Sequence, residues 1–417
     1  MNVLLAIALA ASANYPTNAT LRPVWSIPVS KSGGFVMESP AGPVVFNRVR
    51  PEYDVEICLL SRADGHRLWE QNQSAEHVAT SIMYNVGQSV VQVGVTEGQG
   101  FTPNQLHLFD PATGETQARQ MIDDGYVGFD YKPNVVDGNA FFLAPANKMI
   151  KVSRLWWVDA GGHKISEVKS FAENTPETNP RLLELLANKT IGFSRQIYRF
   201  DSRMRPRLFN LEDGALGRPR STTLIASKYA LAGYAGGQEG NREDEPRSAL
   251  PMGDTAQAFF DLRDDGSATR KWLFKSELKY APHSSSRRDA IRKSPPLSTL
   301  REATAIGDHL YGLIDTPDAL VGRRPTRNLV QFDDEAHLLN PRAAEEVYTD
   351  IEGHAWIAEQ GQGYPMDEGR LVLHPLENLA SSITLITTPG AIVGSLSIDP
   401  KNHEFALVAN GVLSVYR

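Results

Sequence analysis

Apolar residues along this chain alternate with polar ones in short runs, and a period of two predicts strands. One unit recurs: an apolar strand, a tight Asp/Gly turn, then a short second strand. It stands as Leu59-Leu60-Ser61-Arg62-Ala63-Asp64-Gly65-His66-Arg67-Leu68-Trp69 and again as Leu106-His107-Leu108-Phe109-Asp110-Pro111-Ala112-Thr113-Gly114-Glu115. Trp157-Val158-Asp159-Ala160-Gly161-Gly162, Leu208-Phe209-Asn210-Leu211-Glu212-Asp213-Gly214 and Phe260-Asp261-Leu262-Arg263-Asp264-Asp265-Gly266 read as further copies, with degenerate ones at 330–336 and 373–378. Turn positions 65, 114, 162, 214 and 266 lie 49, 48, 52 and 52 residues apart. A hairpin turn needs a residue that tolerates positive φ, which glycine adopts most cheaply, and an aspartate before it can bond the turn's own backbone.

Upstream of each turn, a polar or glycine residue leads into a second alternating run. The eight such starts are Gly42, Gly87, Gly138, Asn188, Ser227, Gly307, Gly353 and Asn402, spanning 360 residues in seven intervals of about 51. A repeat of that length built from four short strands marks a β-propeller. The two ends agree. Gly411-Val412-Leu413-Ser414-Val415-Tyr416-Arg417 reads as a third strand lacking a fourth, and Pro23-Val24-Trp25-Ser26-Ile27-Pro28-Val29 as a strand lacking partners. Pairing them would close a ring and hide two sheet edges. The expected fold is all-β: a single eight-bladed propeller over residues 15–417, its N-terminal strand completing the C-terminal blade. Seven blades is the alternative count.

The chain's 417 residues are ample for a sizeable core. A net charge of −7 argues against nucleic acid as a partner. No apolar run reaches the ~18 residues of a membrane-spanning helix. The one cysteine, Cys58, excludes an internal disulfide and a cysteine metal cage, and its apolar run reads as core. Residues 1–14 read as a signal peptide or an N-terminal extension: an apolar run ends in Ala11-Ser12-Ala13, but without a basic start and on the short side. A mis-assigned start codon accounts for both departures. A periplasmic or secreted location is the expectation, a cytoplasmic one the alternative.

Leu108-Phe109-Asp110-Pro111-Ala112-Thr113-Gly114-Glu115 resembles the repeat of PQQ-like (quinoprotein-type) propellers, in which a strand ends in Asp, a Thr-Gly turn follows and a tryptophan comes soon after. Ala63-Asp64-Gly65-His66-Arg67-Leu68-Trp69 keeps that tryptophan. As a blade pattern the resemblance covers residues 23–417, with only these two copies close. It implies a propeller and divides over function, between quinone-dependent dehydrogenases and non-enzymatic scaffolds that include outer-membrane assembly lipoproteins. The dehydrogenases are longer and carry an adjacent cysteine pair, which a single Cys58 cannot supply. The lipoproteins need a lipid-bearing cysteine near the N-terminus, and none stands there. No cofactor or metal is expected.

Chemistry is sparse. The ten histidines form no His-Glu-x-x-His set, and neither a Gly-x-Ser-x-Gly elbow nor a phosphate loop is present. His309, His354 and His403 recur at equivalent places, which reads as a tolerant position rather than a metal ring. Trp156-Trp157 reads as packing, one ring to each face of a strand. The remaining asymmetry is basic. Arg195, Arg199, Arg203, Arg205 and Arg207 of blade four, Arg287, Arg288, Arg292 and Lys293 of the link between blades five and six, and Arg323, Arg324 and Arg327 of blade six are assigned to the face of the inter-blade links. Guanidinium forks bind carboxylates and phosphates in a bidentate way, which suits an acidic partner. Glu239, Glu243, Asp244 and Glu245 of blade five offer internal salt bridges as the rival use. The 70 residues from 266 to 336 are long for one repeat, and long loops are usually functional or disordered. The expected function is a non-enzymatic scaffold, monomeric on its own, that engages a protein partner through this face. The alternative is a lyase or hydrolase acting on an anionic substrate at the channel mouth.

Overall fold

Successive side chains of a strand point to opposite faces, so a blade packed between two others can bury both. Trp156 and Trp157 do this: Trp156 lies with Val86, Val91 and Phe142, and Trp157 with Phe141, Leu182 and Tyr198. The computed structural model describes residues 18–30, 34–49, 54–73, 80–96, 102–122, 133–144, 154–169, 180–193, 196–203, 206–213, 216–225, 228–235, 255–280, 290–293, 299–306, 309–315, 327–332, 336–338, 344–360, 365–366 and 368–417. They form eight antiparallel-built sheets arranged as a β-propeller.

Lettering strands a to d in chain order, blade one comprises Phe35–Ser39, Gly42–Val49, Asp54–Leu60 and Arg67–Gln73, and blade two Thr80–Val86, Ser89–Thr96, Thr102–Phe109 and Thr116–Met121. Blade three has Asn134–Val136, Asn139–Ala144, Arg154–Asp159 and Lys164–Lys169. Blade four has three described strands, Thr190–Phe193, Gln196–Phe200 and Pro206–Leu208, which correspond to b, c and d of the other blades, preceded by the helix Pro180–Leu186. Blade five runs Ser221–Ile225, Tyr229–Ala235, Thr255–Leu262 and Ala268–Tyr280, the last pairing onward with Ala290–Lys293. Blade six is Thr299–Ile306, His309–Asp315, Arg327–Phe332 and Ala336–Leu338; blade seven is Glu346–Thr349, Ala355–Ala358, Arg370–Pro375 and Ile383–Ile386. Blade eight takes Ala391–Asp399, Glu404–Ala409 and Val412–Tyr416 from the C-terminus and Pro23–Pro28 from the N-terminus. The a strands of blades eight, one and two touch in turn, which sets them around the central axis.

The ring closes as expected from the two ends. Trp25 pairs with Val415 and Ile27 with Leu413 in an antiparallel register. Ala19–Leu21 adds a further strand, parallel to Ile383–Ile386, so the N-terminal segment ties blades seven and eight together. Across the seam to blade one, the Trp25 indole N–H donates to the Arg62 carbonyl at 2.9 Å. A Cβ on Gly65 would lie 2.6 Å from the Trp25 ring, and this glycine has φ +75°. Trp69 repeats the arrangement on blade two, donating to the Pro111 carbonyl at 2.8 Å over Gly114. The glycine of the repeat therefore supplies both the positive φ and the space for the neighbouring blade's indole.

One repeat assignment is corrected. The c–d turn of blade four opens at 201–203, not at 213–214: Arg199 pairs with Arg207, and the Arg203 N–H donates to Asp201 Oδ1 at 2.8 Å. Residues 209–213 and 216–219 belong to the link into blade five. Within it the Glu212 N–H donates to Asn210 Oδ1 at 3.0 Å, the same side-chain-to-backbone turn in a different place.

Candidate functional site

In each blade the b–c turn and the link to the next blade lie on one side, here the loop side, while the a–b and c–d turns lie on the other, the turn side. The arginines assigned to the loop side divide between the two. Arg327 opens strand c of blade six on the loop side, and its guanidinium donates to the Glu345 carbonyl. Arg292 and Lys293 also lie there, on the strand that pairs with Leu278 and Glu277. Arg199 and Arg203 sit on the turn side, because the short strand Gln196–Phe200 has crossed the sheet by the time it reaches them. Arg199 pairs with Asp264 of blade five at 2.9 Å, and Arg207 donates to the Asp265 carbonyl at 2.8 Å. Those two arginines thus tie blade four to blade five. Arg195, Arg205, Arg287, Arg288, Arg323 and Arg324 lie outside the described residues, as do Glu239, Glu243, Asp244 and Glu245.

The excess length between blades five and six takes a definite form. Strand d of blade five continues past its partner Thr255–Leu262, and Glu277–Tyr280 pairs with Ala290–Lys293 as a two-stranded ribbon on the loop side. Ala290–Lys293 is thus a fifth strand on the sheet of blade five.

Two hollows on the turn side escaped the sequence reading. One, of about 630 Å³, is walled by Pro40, Gln88, Asp110, Asn139, His163 and Arg181 over blades one to three. The other, of about 930 Å³, lies between blades three and five where blade four is three-stranded. Asp137 borders both. The larger one carries Lys189, Arg199, Lys228 and Arg263 against Asp137, Asp261 and Asp264. Only the departure of blade four from the repeat could have signalled it.

The three histidines at equivalent places stand apart chemically. His309 contacts Gln331 at 3.2 Å, and His354 contacts Asp350 at 3.3 Å. His403 lies in an a–b turn with φ +50°. Among the described residues no group of three or more His, Cys, Asp or Glu side chains is placed to hold a metal ion. Buried His107, joined to Gln92 at 3.2 Å and Thr116 at 2.9 Å, is pulled down to about 4 by burial and by nearby Arg119, so at neutral pH it is an uncharged part of a seam. Burial, with the Glu56 carboxylate adding to it, pushes the Cys58 thiol up to about 12, far from thiolate reactivity.

The fold and its shared last sheet define the class: an eight-bladed β-propeller closed by its N-terminal strand. No protein-family model matches the chain, and no curated protein matches it. Among solved structures it is similar to Sqt1 of Saccharomyces cerevisiae, at 8% identity and a TM-score of 0.50 over 95% of this chain and 98% of that one. It is also similar to the Dos1 propeller (10%, TM-score 0.45, 95% of each chain) and to the WD40 domain of Neurospora crassa Pan2 (9%, TM-score 0.38, 94% of each). At these identities the likeness concerns the fold, which hosts many functions.

Proposed function

We propose that this chain is a non-enzymatic binding and scaffolding propeller, built of quinoprotein-type repeats, that engages an acidic protein partner through its loop side. The observation that carries the reading is the pairing of Glu277–Tyr280 with Ala290–Lys293, a fifth strand on blade five beyond the four of the repeat. An added strand on the loop side of a propeller is a binding element placed on a scaffold. Arg292 and Lys293 lie on it, and Arg327 opens the adjacent blade on the same side. The repeat reading is supported by Trp25 and Trp69, each seated on the turn glycine of the next blade. An apolar leader ending at Ala13 supports export, and N-terminal sequencing of the protein from the extracytoplasmic fraction tests it. The partner is identified by crosslinking through Lys279 and Lys293, and its affinity is then measured against increasing salt. Reversing Arg287, Arg288, Arg292, Lys293, Arg323 and Arg324 to glutamate should weaken binding more than tenfold and remove its salt dependence, with an unchanged melt. Equal affinity in the reversed protein refutes the loop-side reading.

A further inference from the structure

We propose that the junction between blades eight and one is a pH-sensitive latch, in which ionisation of Glu38 sets like charges against each other across the seam and loosens the N-terminal closing strand. Comparison with the next seam shows that these charges are not a requirement of the repeat. Trp25 and Trp69 hold equivalent places, donating to the carbonyls of Arg62 and Pro111. On strand a, the equivalent positions before the a–b turn are Glu38 of blade one, opposite Pro43, and Asn85 of blade two, opposite Val90. The seam between blades one and two therefore has a proline and a neutral amide where the closing seam has an arginine and a carboxyl group.

Glu38, Asp399 and Glu404 are fully buried together. The Arg62 guanidinium stands among them, 2.9 Å from Asp399, 2.8 Å from Glu404 and 3.5 Å from Glu38. Glu404 also accepts from Arg417 at 2.7 Å. Blade two contributes the neutral Asn85 amide, which donates to the Glu38 main-chain carbonyl at 2.8 Å. Three carboxyl groups thus share two guanidinium groups, and neither Glu38 carboxyl oxygen has a hydrogen-bond partner among the described residues. An ionised carboxylate in that position is costly, so Glu38 is the group that keeps a proton. Burial first, and then the Glu404 and Asp399 carboxylates against the opposing pull of Arg62, hold its carboxyl well above the ordinary range.

Loss of that proton acts across the junction because the partners stand on opposite sides of it. Glu38 belongs to strand a of blade one, while Asp399 and Glu404 belong to strands a and b of blade eight. The bonds that hold the two blades there are few and local: the Val36 and Glu38 N–H groups donate to the Ser395 and Ser397 hydroxyls at 3.1 and 2.7 Å. Arg62 carries the effect to the closing strand, since its carbonyl accepts from both the Trp25 indole and the Arg417 guanidinium. A raised folded-state value gives the sign: the junction has its full strength below about 4.5 and loses it as pH climbs through the raised value.

Amide hydrogen exchange on the whole protein, corrected for the intrinsic pH dependence of exchange, tests the latch. Pro23–Pro28 is compared with Arg67–Gln73, the strand whose tryptophan makes the equivalent contact on blade two. From mildly acidic to mildly alkaline pH, protection of Pro23–Pro28 should fall at least about tenfold further than that of Arg67–Gln73. Glu38→Gln keeps the shape of the side chain and cannot ionise, so it should retain the protection at alkaline pH. Should that variant fold poorly, infrared difference spectra of the unaltered protein with isotope-labelled glutamate make the second test. A protonated glutamic acid band should then disappear over the same pH range in which the closing strand loosens. Equal loss of protection in the two strands, the same loss in Glu38→Gln, or loosening without a glutamic acid that titrates alongside it overturns the proposal.

Discussion

The seam between blades eight and one and the region around blade four solve the same problem, joining successive sheets, with unequal means. At the closing seam the N-terminal strand, an indole seated on a glycine turn and a buried ionic cluster all cross the junction. Arg62 there reaches Asp399 at 2.9 Å and Glu404 at 2.8 Å, while Arg417 holds the other Glu404 oxygen at 2.7 Å. Blade four has three described strands, a seven-residue helix and a side-chain amide standing where a strand would bond. A ring broken at one point loses two edges' worth of pairing, so the junction where the chain ends meet is tied several times over. An interior blade is held covalently on both sides and can depart from the pattern. That freedom makes blade four the place for a cleft.

The largest predicted effect breaks this comparison at its first term. Removing residues 1–28 deletes strand d of blade eight and the added strand on blade seven, leaving the Val412–Tyr416 edge unpaired. The truncated chain should aggregate, or melt roughly 10 °C or more below the intact one, as the loss of several kcal/mol implies. A cooperative melt within about 2 °C of the intact protein would remove the closing strand's special status.

Next come the glycines under the indoles. Gly65→Ala and Gly114→Ala each force a Cβ to 2.6 and 2.7 Å from a tryptophan ring as well as an unfavourable φ. Each should cost about 2–4 kcal/mol in urea unfolding, by strain and displaced packing together. Gly353→Ala isolates the conformational part, because its φ is +93° but nothing lies within 4 Å. It should cost about 1 kcal/mol. Equal losses at all three positions would show that the indole contact contributes nothing.

The third prediction concerns pH. Glu38, Asp399 and Glu404 are fully buried at the closing seam beside Arg62. Burial raises the Glu38 carboxyl well above its ordinary 4.5, and the Glu404 and Asp399 carboxylates add to the rise while Arg62 opposes it. A raised folded-state value means that its contribution is complete below about 4.5 and is lost as pH climbs through that raised value. Glu38→Gln should therefore flatten the decline in stability as pH rises above about 4.5 and leave the variant more stable than the parent once the raised value is passed. Parallel urea titrations of the two proteins decide it; an unchanged slope would assign the pH dependence elsewhere.

The same contrast explains what could be read from residues alone. Blades one and two announce themselves through Asp64-Gly65 and Thr113-Gly114, because turn geometry admits few residues. All eight a–b turns or strand b starts were legible for that reason, and the end strands for want of partners. Blade four departs because its c–d turn opens on Asp201 and Arg203 without the aspartate–glycine signature, while Asn210 builds a similar local turn in the following link. Shifting the turn in this way carries neighbouring side chains to the opposite face of the ring, which is why Arg199 and Arg203 stand on the turn side. The turn-side hollows are long-range packing outcomes: Asn134 meets Gly192 across 58 positions, with no local pattern to mark the pair.

The smallest effect tests whether blade four's margin is as relaxed as its pairing suggests. Thr222, on strand a of blade five, borders a hollow of about 500 Å³ with Ile197, Leu208 and Leu211. Its hydroxyl oxygen is buried with no hydrogen-bond partner among the described residues. Valine keeps the shape and removes the group whose hydration was lost, so Thr222→Val should stabilise by about 1 kcal/mol, a rise of about 1–2 °C in melting temperature for a chain of this size. Ser39 in blade one is the matched control: its hydroxyl donates to the Gly42 carbonyl at 2.7 Å and accepts from the Gly42 N–H at 3.2 Å. Ser39→Ala strands those backbone groups and should cost about 1–3 kcal/mol. Opposite signs for two buried hydroxyl removals would locate the slack at blade four. Losses of similar size would mean that the hollow beside Thr222 is as tightly specified as the closing seam, and the contrast between the two regions would then rest on strand count alone.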